Sequence, residues 1–261
     1  MLVIALEPFF EKLADVSGQA ILPFFRINQV VSNKTGDKGF DPVTQADRAA
    51  EMAIRQEIRK AFPDHAIHGE EYGVENAGAP YEWIIDPIDG TRGFICGLPT
   101  WGTLVGLMKD SHPIYGMMNQ PYVGERFIGD GEKAILIRNG QSRALKTRRC
   151  ERLADAYIAT TSPRIITGDH GEAYDRLEAQ CKLARYGTDC YAYALLAAGQ
   201  IDIVCETGLQ AYDIAPLIPI IEGAGGIVST WSGDSAVRGG AILASGNATL
   251  HEAALRILSG G

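Results

Sequence analysis

Apolar residues near the start of the chain recur at helical spacing. They predict an amphipathic helix over residues 5–30, which Pro23 should kink. A polar, glycine-bearing loop follows, and a second helix is predicted to start at residues 41–44 and to run to about residue 62. Thr44 and Asp47 fit a capping box, in which the hydroxyl and the carboxylate satisfy free amides of the first helical turn.

Short apolar runs predict strands in the rest of the first half. These strands cover residues 66–68, 83–85, 100–109, 113–120, 126–128 and 134–137. The first half therefore reads as helices laid over a mainly antiparallel sheet. A basic, mostly polar loop at residues 138–152 marks the predicted boundary.

Strands and helices alternate beyond that loop. The predicted strands are 156–161, 182–185, 201–205, 226–230 and 241–245, and the predicted helices are 170–181, 188–199, 212–224 and 248–258. This alternation is typical of an α/β layer arrangement. We interpret the 261 residues as a single domain, 1–261, divided into subdomains at 1–145 and 146–261.

Composition and charge narrow the function classes. With 46% apolar and 21% charged residues, the chain is an ordinary globular protein. Its formal charge of −8 argues against a nucleic-acid partner, and an acidic protein that handles an anion would need metal ions as intermediaries. Five scattered cysteines without a C-x-x-C pair predict reduced thiols in a cytoplasmic protein. The apolar N-terminus carries Glu7 and Glu11 and does not read as a signal peptide, and the longest strongly apolar stretch, 214–221, is too short for a bilayer.

Two carboxylates follow the apolar run at residues 83–85. Asp86 ends that run, Asp89 stands three residues later, and Gly90 and Thr91 come next. Asp-Pro and Asp-Gly are also turn dipeptides, so a solvated loop is the alternative interpretation. If Gly90 and Thr91 open a helix, its free amides form an anion site.

Three other acids stand where predicted elements begin or end: Asp47, Glu70 and Asp213. Each has an ordinary explanation, since Asp47 can cap a helix, Glu70 can be solvated, and the helix dipole favours Asp213. An unpaired carboxylate beside an apolar segment is nevertheless costly unless it meets a cation. Oxygen ligands without histidine or cysteine suit Mg²⁺, Mn²⁺ or Ca²⁺. The residues thus predict a metal-dependent enzyme that handles phosphate.

Four motifs, in order, resemble the inositol monophosphatase family of Mg²⁺-dependent phosphomonoesterases. They lie at residues 41–47, 69–71, 83–91 and 212–226, so they are spread over most of the length of the chain. The resemblance implies an α/β fold of five layers, an αβαβα sandwich. It also implies a homodimer, lithium sensitivity, and a small phosphate monoester as substrate.

The resemblance also implies roles for individual residues. The metal ligands would be Glu70, Asp86, the carbonyl of Ile88, Asp89 and Asp213. These would hold two or three Mg²⁺ ions per site, with Mn²⁺ as a substitute. Asp47 and Thr91 would orient a metal-activated water for direct in-line attack, with Glu70 also catalytic, and the amides of Gly90 and Thr91 would hold phosphate. Tyr212 departs from the tryptophan usual before the metal aspartate, which should alter packing around Asp213 but keep the ligand.

Within the family, the runs at 90–103 and 119–126 look like the histidinol-phosphate phosphatase branch. Arg92 belongs to the first run. Asp189 and Glu206 would suit the amine and imidazole of histidinol, although Asp189 can also be an ordinary acid at a helix start. An inositol-1-phosphatase or a phosphomonoesterase of broad specificity is the alternative.

Two further alternatives belong to other classes. A haloacid-dehalogenase-type phosphatase uses Asp-x-Asp-Gly-Thr, whereas Asp86 to Thr91 reads Asp-x-x-Asp-Gly-Thr, which does not give the same geometry. A non-catalytic regulatory protein with this fold would be expected to lack Asp47, Thr91 or a metal ligand, and all of these are present.

Overall fold

The computed structural model describes residues 6–27, 32–33 and 42–260. Within these ranges the helices are α1 (Leu6–Ile21), α2 (Gln45–Ala61), α3 (Thr91–Ile95), α4 (Asp169–Glu178), α5 (Asp189–Ala197), α6 (Ala211–Ile214), α7 (Ile218–Gly223) and α8 (Ala248–Leu258). The end of the first predicted helix, 28–30, and most of the loop after it lie outside the described residues.

The strands form two larger sheets and one small pair. They are β1 (Ser32–Asn33), β2 (Pro42–Val43), β3 (Ala66–Gly69), β4 (Gly73–Glu75), β5 (Tyr81–Asp89), β6 (Gly102–Lys109), β7 (His112–Gln120), β8 (Glu125–Gly129), β9 (Ala134–Arg138), β10 (Gln141–Ala144), β11 (Tyr157–Thr160), β12 (Leu183–Tyr186), β13 (Ile203–Leu209), β14 (Ile227–Thr230) and β15 (Gly240–Ser245).

The larger sheet has eight strands in the order β10-β9-β8-β7-β6-β5-β3-β4. Its neighbours are antiparallel except for β3 and β5, which run parallel. The smaller sheet has the order β12-β11-β13-β15-β14, with β12, β11 and β13 parallel and the last two pairings antiparallel. The first sheet uses residues 66–144 and the second 157–245, so the chain completes one before it begins the other.

Helices cover both faces of each sheet. Helices α1 and α2 pack on the outer face of the larger sheet, where Phe10, Leu13 and Ile54 are fully buried. Helices α5, α6 and α7 lie between the sheets, and α4 and α8 cover the smaller sheet from outside. The predicted αβαβα order is confirmed. No helix in the described ranges has the length and apolar character that crossing a membrane requires.

Proline corrects two predicted helices. Helix α1 ends at Ile21, and Pro23 lies in a single 3₁₀ turn, Leu22–Phe24. The single helix predicted over 212–224 is wrong, because α6 stops at Ile214 and α7 starts at Ile218, with Pro216 between them. Proline has no N–H to donate, and its ring crowds the preceding helical turn. A helix therefore ends near a proline even where the pattern of apolar residues continues.

Two edge strands were missed. β4 has three residues, and β10 carries only exposed side chains, so neither shows an apolar alternation. Both are held by backbone pairing with one neighbour, β10 with β9 and β4 with β3. The predicted basic loop, 138–152, is therefore wrong at residues 141–144, which form β10.

A row of glycines brings the middle helices close to the larger sheet. Gly106, Gly116 and Gly129 pair in register across β6, β7 and β8. A Cβ atom on Gly116 would lie 1.9 Å from the carbonyl oxygen of Pro216, and one on Gly129 would lie 2.4 Å from that of Pro219. The connection between α6 and α7 therefore contacts the sheet backbone to backbone.

Candidate active site

An irregularity in β5 turns Asp86 and Asp89 toward the same side of the sheet. Residues three apart on a regular strand point to opposite faces. Here Asp86 pairs with Leu104 and Asp89 with Gly102, so three steps along β5 match two along β6. This is a β-bulge, and Pro87, which cannot donate to a ladder, lies inside it. The N–H of Ile88 donates to Asp86 Oδ1 over 3.0 Å and fixes that carboxylate.

The parallel pairing of β3 with β5 places Glu70 beside Asp86. Gly69 is the register partner of Ile85, and the next residues on the two strands are Glu70 and Asp86. The Glu70 N–H donates to the Ile85 carbonyl over 3.1 Å, so the pairing continues one residue past β3.

Asp213 reaches the same point from the middle layer. It lies in the first turn of α6, where the Gln210 N–H donates to its Oδ2 over 2.7 Å. One carboxylate oxygen from each of Asp86, Asp89 and Asp213 lies within 4.8 Å of the other two. The structure thus brings together three of the predicted ligands, with Glu70 adjacent.

Without a bound cation, the carboxylates of Asp86, Asp89 and Asp213 repel one another. Burial, reinforced by the charge of Glu70, raises the pKa of Asp86 well above its usual value. Burial and then the charge of Asp213 raise the pKa of Asp89 in the same direction. Burial also raises the pKa of Asp213 from 3.8 to about 7, against the opposing hydrogen bond from Gln210.

The donor set fits a hard divalent cation. Oxygens around an ion with bonds of roughly 2.0–2.6 Å lie up to about 4–5 Å apart, which is the spacing of the three aspartates. A bound cation would also favour the ionised carboxylates, and so oppose the burial and the mutual repulsion that raise their pKa values. The cluster can therefore hold a metal ion through carboxylates from two separate layers.

Thr91 begins α3 immediately beside the cluster, so the condition for an anion site, a helix that opens at Gly90 and Thr91, is met. The first N–H groups of a helix have no acceptor within it, so this turn can face an anion. The Thr91 hydroxyl donates to the carbonyl of Ile88 over 3.0 Å. That carbonyl is the predicted backbone ligand, and a carbonyl oxygen has two lone pairs, so the hydrogen bond does not prevent ligation.

The predicted capping box at Asp47 is confirmed. Its Oδ2 accepts the Thr44 N–H over 2.8 Å and the Thr44 hydroxyl over 2.6 Å, and the Thr44 hydroxyl accepts the Ala46 N–H. Burial raises the pKa of Asp47 to about 6, and the charge of Glu70 also contributes. The role of Asp47 with Thr91 in orienting water stays a prediction.

A cavity of about 310 Å³ opens over the cluster. It is lined by Glu70, Asp89, Gly90, Thr91, Arg92, Asp189, Gly208, Tyr212 and Asp213. Small-molecule sites begin at about this size. Seven of the predicted site residues line it, while Asp86 and Ile88 are buried at its side.

Asp189 and Glu206 form a second acidic group next to the cavity. Glu206 is 4% exposed and does not line the cavity; its Oε1 accepts the Thr161 N–H over 2.7 Å, and its Oε2 accepts the Tyr193 hydroxyl over 3.0 Å. The Thr161 hydroxyl lies 2.5 Å from Glu206 and 3.4 Å from Asp189, so its single proton favours Glu206. Burial and then the charge of Glu206 raise the pKa of Asp189 to about 6.

Sequence reasoning missed several supporting residues. Thr161 and Tyr193 hold Glu206 from distant parts of the chain, and the Cys190 N–H donates to Asp89 Oδ2 over 2.7 Å. No local motif marks these contacts. Glu51 was also missed, although its position one helical turn after Asp47 is visible in the sequence.

Comparisons with known proteins find relatives that match nearly the whole chain. A model of the inositol monophosphatase family matches residues 5–260. The "Bifunctional phosphatase IMPL2, chloroplastic" of Arabidopsis thaliana is 42% identical over 258 residues, covering 94% of this chain and 72% of that protein. A histidinol-phosphatase of Chlorobaculum parvum is 33% identical over 237 residues, covering 90% of each chain. The solved structure of an inositol monophosphatase from Zymomonas mobilis is 38% identical, with a TM-score of 0.85 over 97% of this chain and 96% of that one.

Proposed function

Because the chain belongs to the inositol monophosphatase family and is a phosphatase, we propose that it hydrolyses L-histidinol phosphate with Mg²⁺ as the cofactor. The names of its relatives divide between histidinol phosphate and inositol phosphate. The choice of substrate therefore depends on the residues around the cavity.

Mg²⁺ is supported by the carboxylate cluster. The ligands would be Glu70, Asp86, Asp89, Asp213 and the Ile88 carbonyl, an all-oxygen set that Mg²⁺ and Mn²⁺ prefer. Mg²⁺ supplies water of lowered pKa and neutralises negative charge on phosphate. An enzyme treated with EDTA should lose phosphate release and regain it with Mg²⁺. Undiminished turnover in EDTA would contradict this part of the proposal.

The remaining residues position the reactants in this proposal. Asp47, fixed by Thr44, and Thr91, fixed by the Ile88 carbonyl, would orient the attacking water. The amides of Gly90 and Thr91 would bind phosphate oxygens at the start of α3, and Arg92 would contact the substrate from the rim of the cavity.

The acidic pair beside the cavity is the observation that favours histidinol phosphate. Asp189 lines the cavity, and its pKa is raised to about 6 by burial and by the charge of Glu206. An ammonium group bound against Asp189 would stabilise its ionised form, because opposite charges favour each other in a partly buried site. Inositol carries no positive charge, so it would leave the repulsion between Asp189 and Glu206 in place.

The test compares kcat/KM for L-histidinol phosphate and inositol-1-phosphate, in the wild type and in Asp189→Asn. Asn is close in size and accepts the positive φ of 42° at this position. We expect the wild type to prefer histidinol phosphate. A lost charge-assisted hydrogen bond is worth about 1.5–3 kcal/mol, so Asp189→Asn should lower its kcat/KM about 10- to 100-fold. A wild-type preference for inositol-1-phosphate, or equal losses on both substrates, would contradict the assignment.

The proposal also includes a homodimer, inhibition by lithium and a cytoplasmic location. Five free cysteines, Cys96, Cys150, Cys181, Cys190 and Cys205, support a reducing compartment. Light scattering after size-exclusion chromatography tests the dimer, and phosphate release in LiCl compared with KCl tests the inhibition.

A further inference from the structure

One face of α2 carries a buried row of charged side chains. Asp47, Glu51 and Arg55 stand four residues apart, which places them above one another on the same face of the helix. The side chains of Glu51 and Arg55 are 0% and 2% exposed. Such a pair needs a full set of hydrogen-bonding partners, because buried charges are otherwise strongly unfavourable. Those partners lie mostly on one neighbouring segment.

That segment is the turn between β3 and β4, which carries Glu70. Glu51 Oε2 accepts the Glu71 N–H over 2.7 Å, and Glu51 Oε1 accepts the Tyr72 N–H over 3.2 Å. A Cβ atom on Gly69 would lie 1.9 Å from Glu51 Oε1, so the carboxylate occupies the space that glycine leaves open. Glu51 thus contacts the backbone on both sides of Glu70.

Arg55 completes the support from the other end of the turn. Its Nε donates to Glu51 Oε1 over 2.7 Å, its Nη2 to the Gly73 carbonyl over 2.5 Å, and its Nη1 to Glu75 Oε1 over 2.9 Å. Glu51 therefore binds the turn at residues 71 and 72, and Arg55 binds the two ends of β4 at residues 73 and 75.

We infer that Glu51 is a positioning residue that fixes the 69–73 turn so that the Glu70 carboxylate faces Asp86. This inference rests on the proposed metal-dependent function, in which Glu70 is a ligand. If Glu51 and Arg55 only joined α2 to the sheet, Glu51 would not need to accept the two consecutive backbone N–H groups that follow Glu70. Removing one oxygen acceptor from Glu51 should therefore weaken metal binding as well as stability.

The first experiment measures the Kd of Mn²⁺ by isothermal titration calorimetry without substrate. Glu51→Gln keeps the size of the side chain but turns an NH₂ group toward an N–H donor, so the turn loses at least one hydrogen bond. Changing a residue that supports a metal ligand typically weakens metal binding 10- to 100-fold, and we expect about a 10-fold higher Kd. Hydrogen exchange of the metal-free protein should also become faster at Glu71 and Tyr72.

Glu57→Gln is the matched control. Glu57 lies on the same helix and pairs with Lys12 and Lys60, away from the turn. It should lose some stability and keep the wild-type Kd. Glu75→Gln is a milder second variant, which loosens Arg55 while Glu51 remains, and it should raise the Kd two- to fivefold. If Glu51→Gln does not fold, an unchanged Kd in Glu75→Gln overturns the inference.

A double-mutant cycle separates positioning from general destabilisation. If Glu51 acts through Glu70, Glu51→Gln should have little further effect on the Kd in a Glu70→Gln background. Additive effects, or an unchanged Kd in folded Glu51→Gln, would overturn the inference. A wild-type protein that binds no Mn²⁺ would instead refute the proposed metal-dependent function, so the two failures are distinguishable.

Discussion

Replacing Asp213 with asparagine should stabilise the metal-free protein while it abolishes turnover. The side chain keeps its size, and its oxygen can still accept the Gln210 N–H. The change removes one negative charge from a cluster in which Asp86 and Asp89 lie within 4.8 Å. Without a cation this charge is unfavourable, and in the proposed metal site it would be a ligand.

The magnitude follows from the pKa of Asp213. The pKa of Asp213 rises from 3.8 to about 7 in the folded protein. At pH values above 7 this rise lowers the free energy of unfolding by about 4 kcal/mol. Between about pH 4 and 7 the folded protein keeps a proton that the unfolded chain releases. The free energy of unfolding of the wild type therefore falls as pH rises through this window. We expect the variant to recover about half of the loss, about 2 kcal/mol, because Asp213 lines the open cavity, where solvent screens part of its charge.

Thermal unfolding in EDTA from pH 4 to pH 8 measures this effect. At about 2–4 °C per kcal/mol, the variant should melt about 4–8 °C above the wild type at pH 8, with the difference vanishing near pH 4. Saturating Mg²⁺ should raise the Tm of the wild type but not that of the variant, which reverses the order. Asp175→Asn, a charge-matched change on the exposed side of α4, should show no such pH dependence. A less stable Asp213→Asn in EDTA at pH 8, or a difference independent of pH, would refute the reasoning.

Three other substitutions test separate parts of the structure. Thr44→Val removes the hydroxyl that donates to Asp47, so the pKa of Asp47 should rise above about 6 and the acidic limb of kcat against pH should move to higher pH. Arg148→Met leaves the fully buried Asp202 without the guanidinium that donates to it over 2.9 Å. Urea denaturation should show that the free energy of unfolding falls by about 2–3 kcal/mol, less than the roughly 3–5 kcal/mol of a fully buried pair, because Arg148 is 37% exposed. Gly116→Ala places a methyl group against the backbone of Pro216. It should lower the free energy of unfolding by about 3 kcal/mol in the same assay. An effect below about 0.5 kcal/mol would show that the middle helices can move away from the sheet.

Several parts of the site that sequence reasoning found are set by local structure, whereas the ligand roles of Glu70 and Asp213 came from the family resemblance. Asp86 and Asp89 end a buried strand, Thr91 begins a helix, and Asp47 caps another, so the printed sequence already contains their geometry. Apolar periodicity predicted helices over an antiparallel sheet in the first half and alternating strands and helices in the second. The order of the five layers came from the family resemblance.

The missed parts depend on contacts between distant segments. Thr161 and Glu206 are 45 residues apart, and their hydrogen bond exists because β11 and β13 are neighbours in the smaller sheet. The break at Pro216 was missed because apolar residues continue across it, although proline itself signalled a stop. β10 was missed because an exposed edge strand has no buried face to produce a pattern.

The glycine row across β6, β7 and β8 has a consequence for how such a protein can diverge. Pro216 follows Asp213 by three residues and contacts the larger sheet through main-chain atoms. The spacing between Asp213 and the aspartates of β5 therefore depends on a contact between main-chain atoms and not on the volumes of packed side chains. Core side chains elsewhere between the layers can therefore change without altering the spacing of the acidic cluster, because the contact nearest Asp213 is made mainly by main-chain atoms.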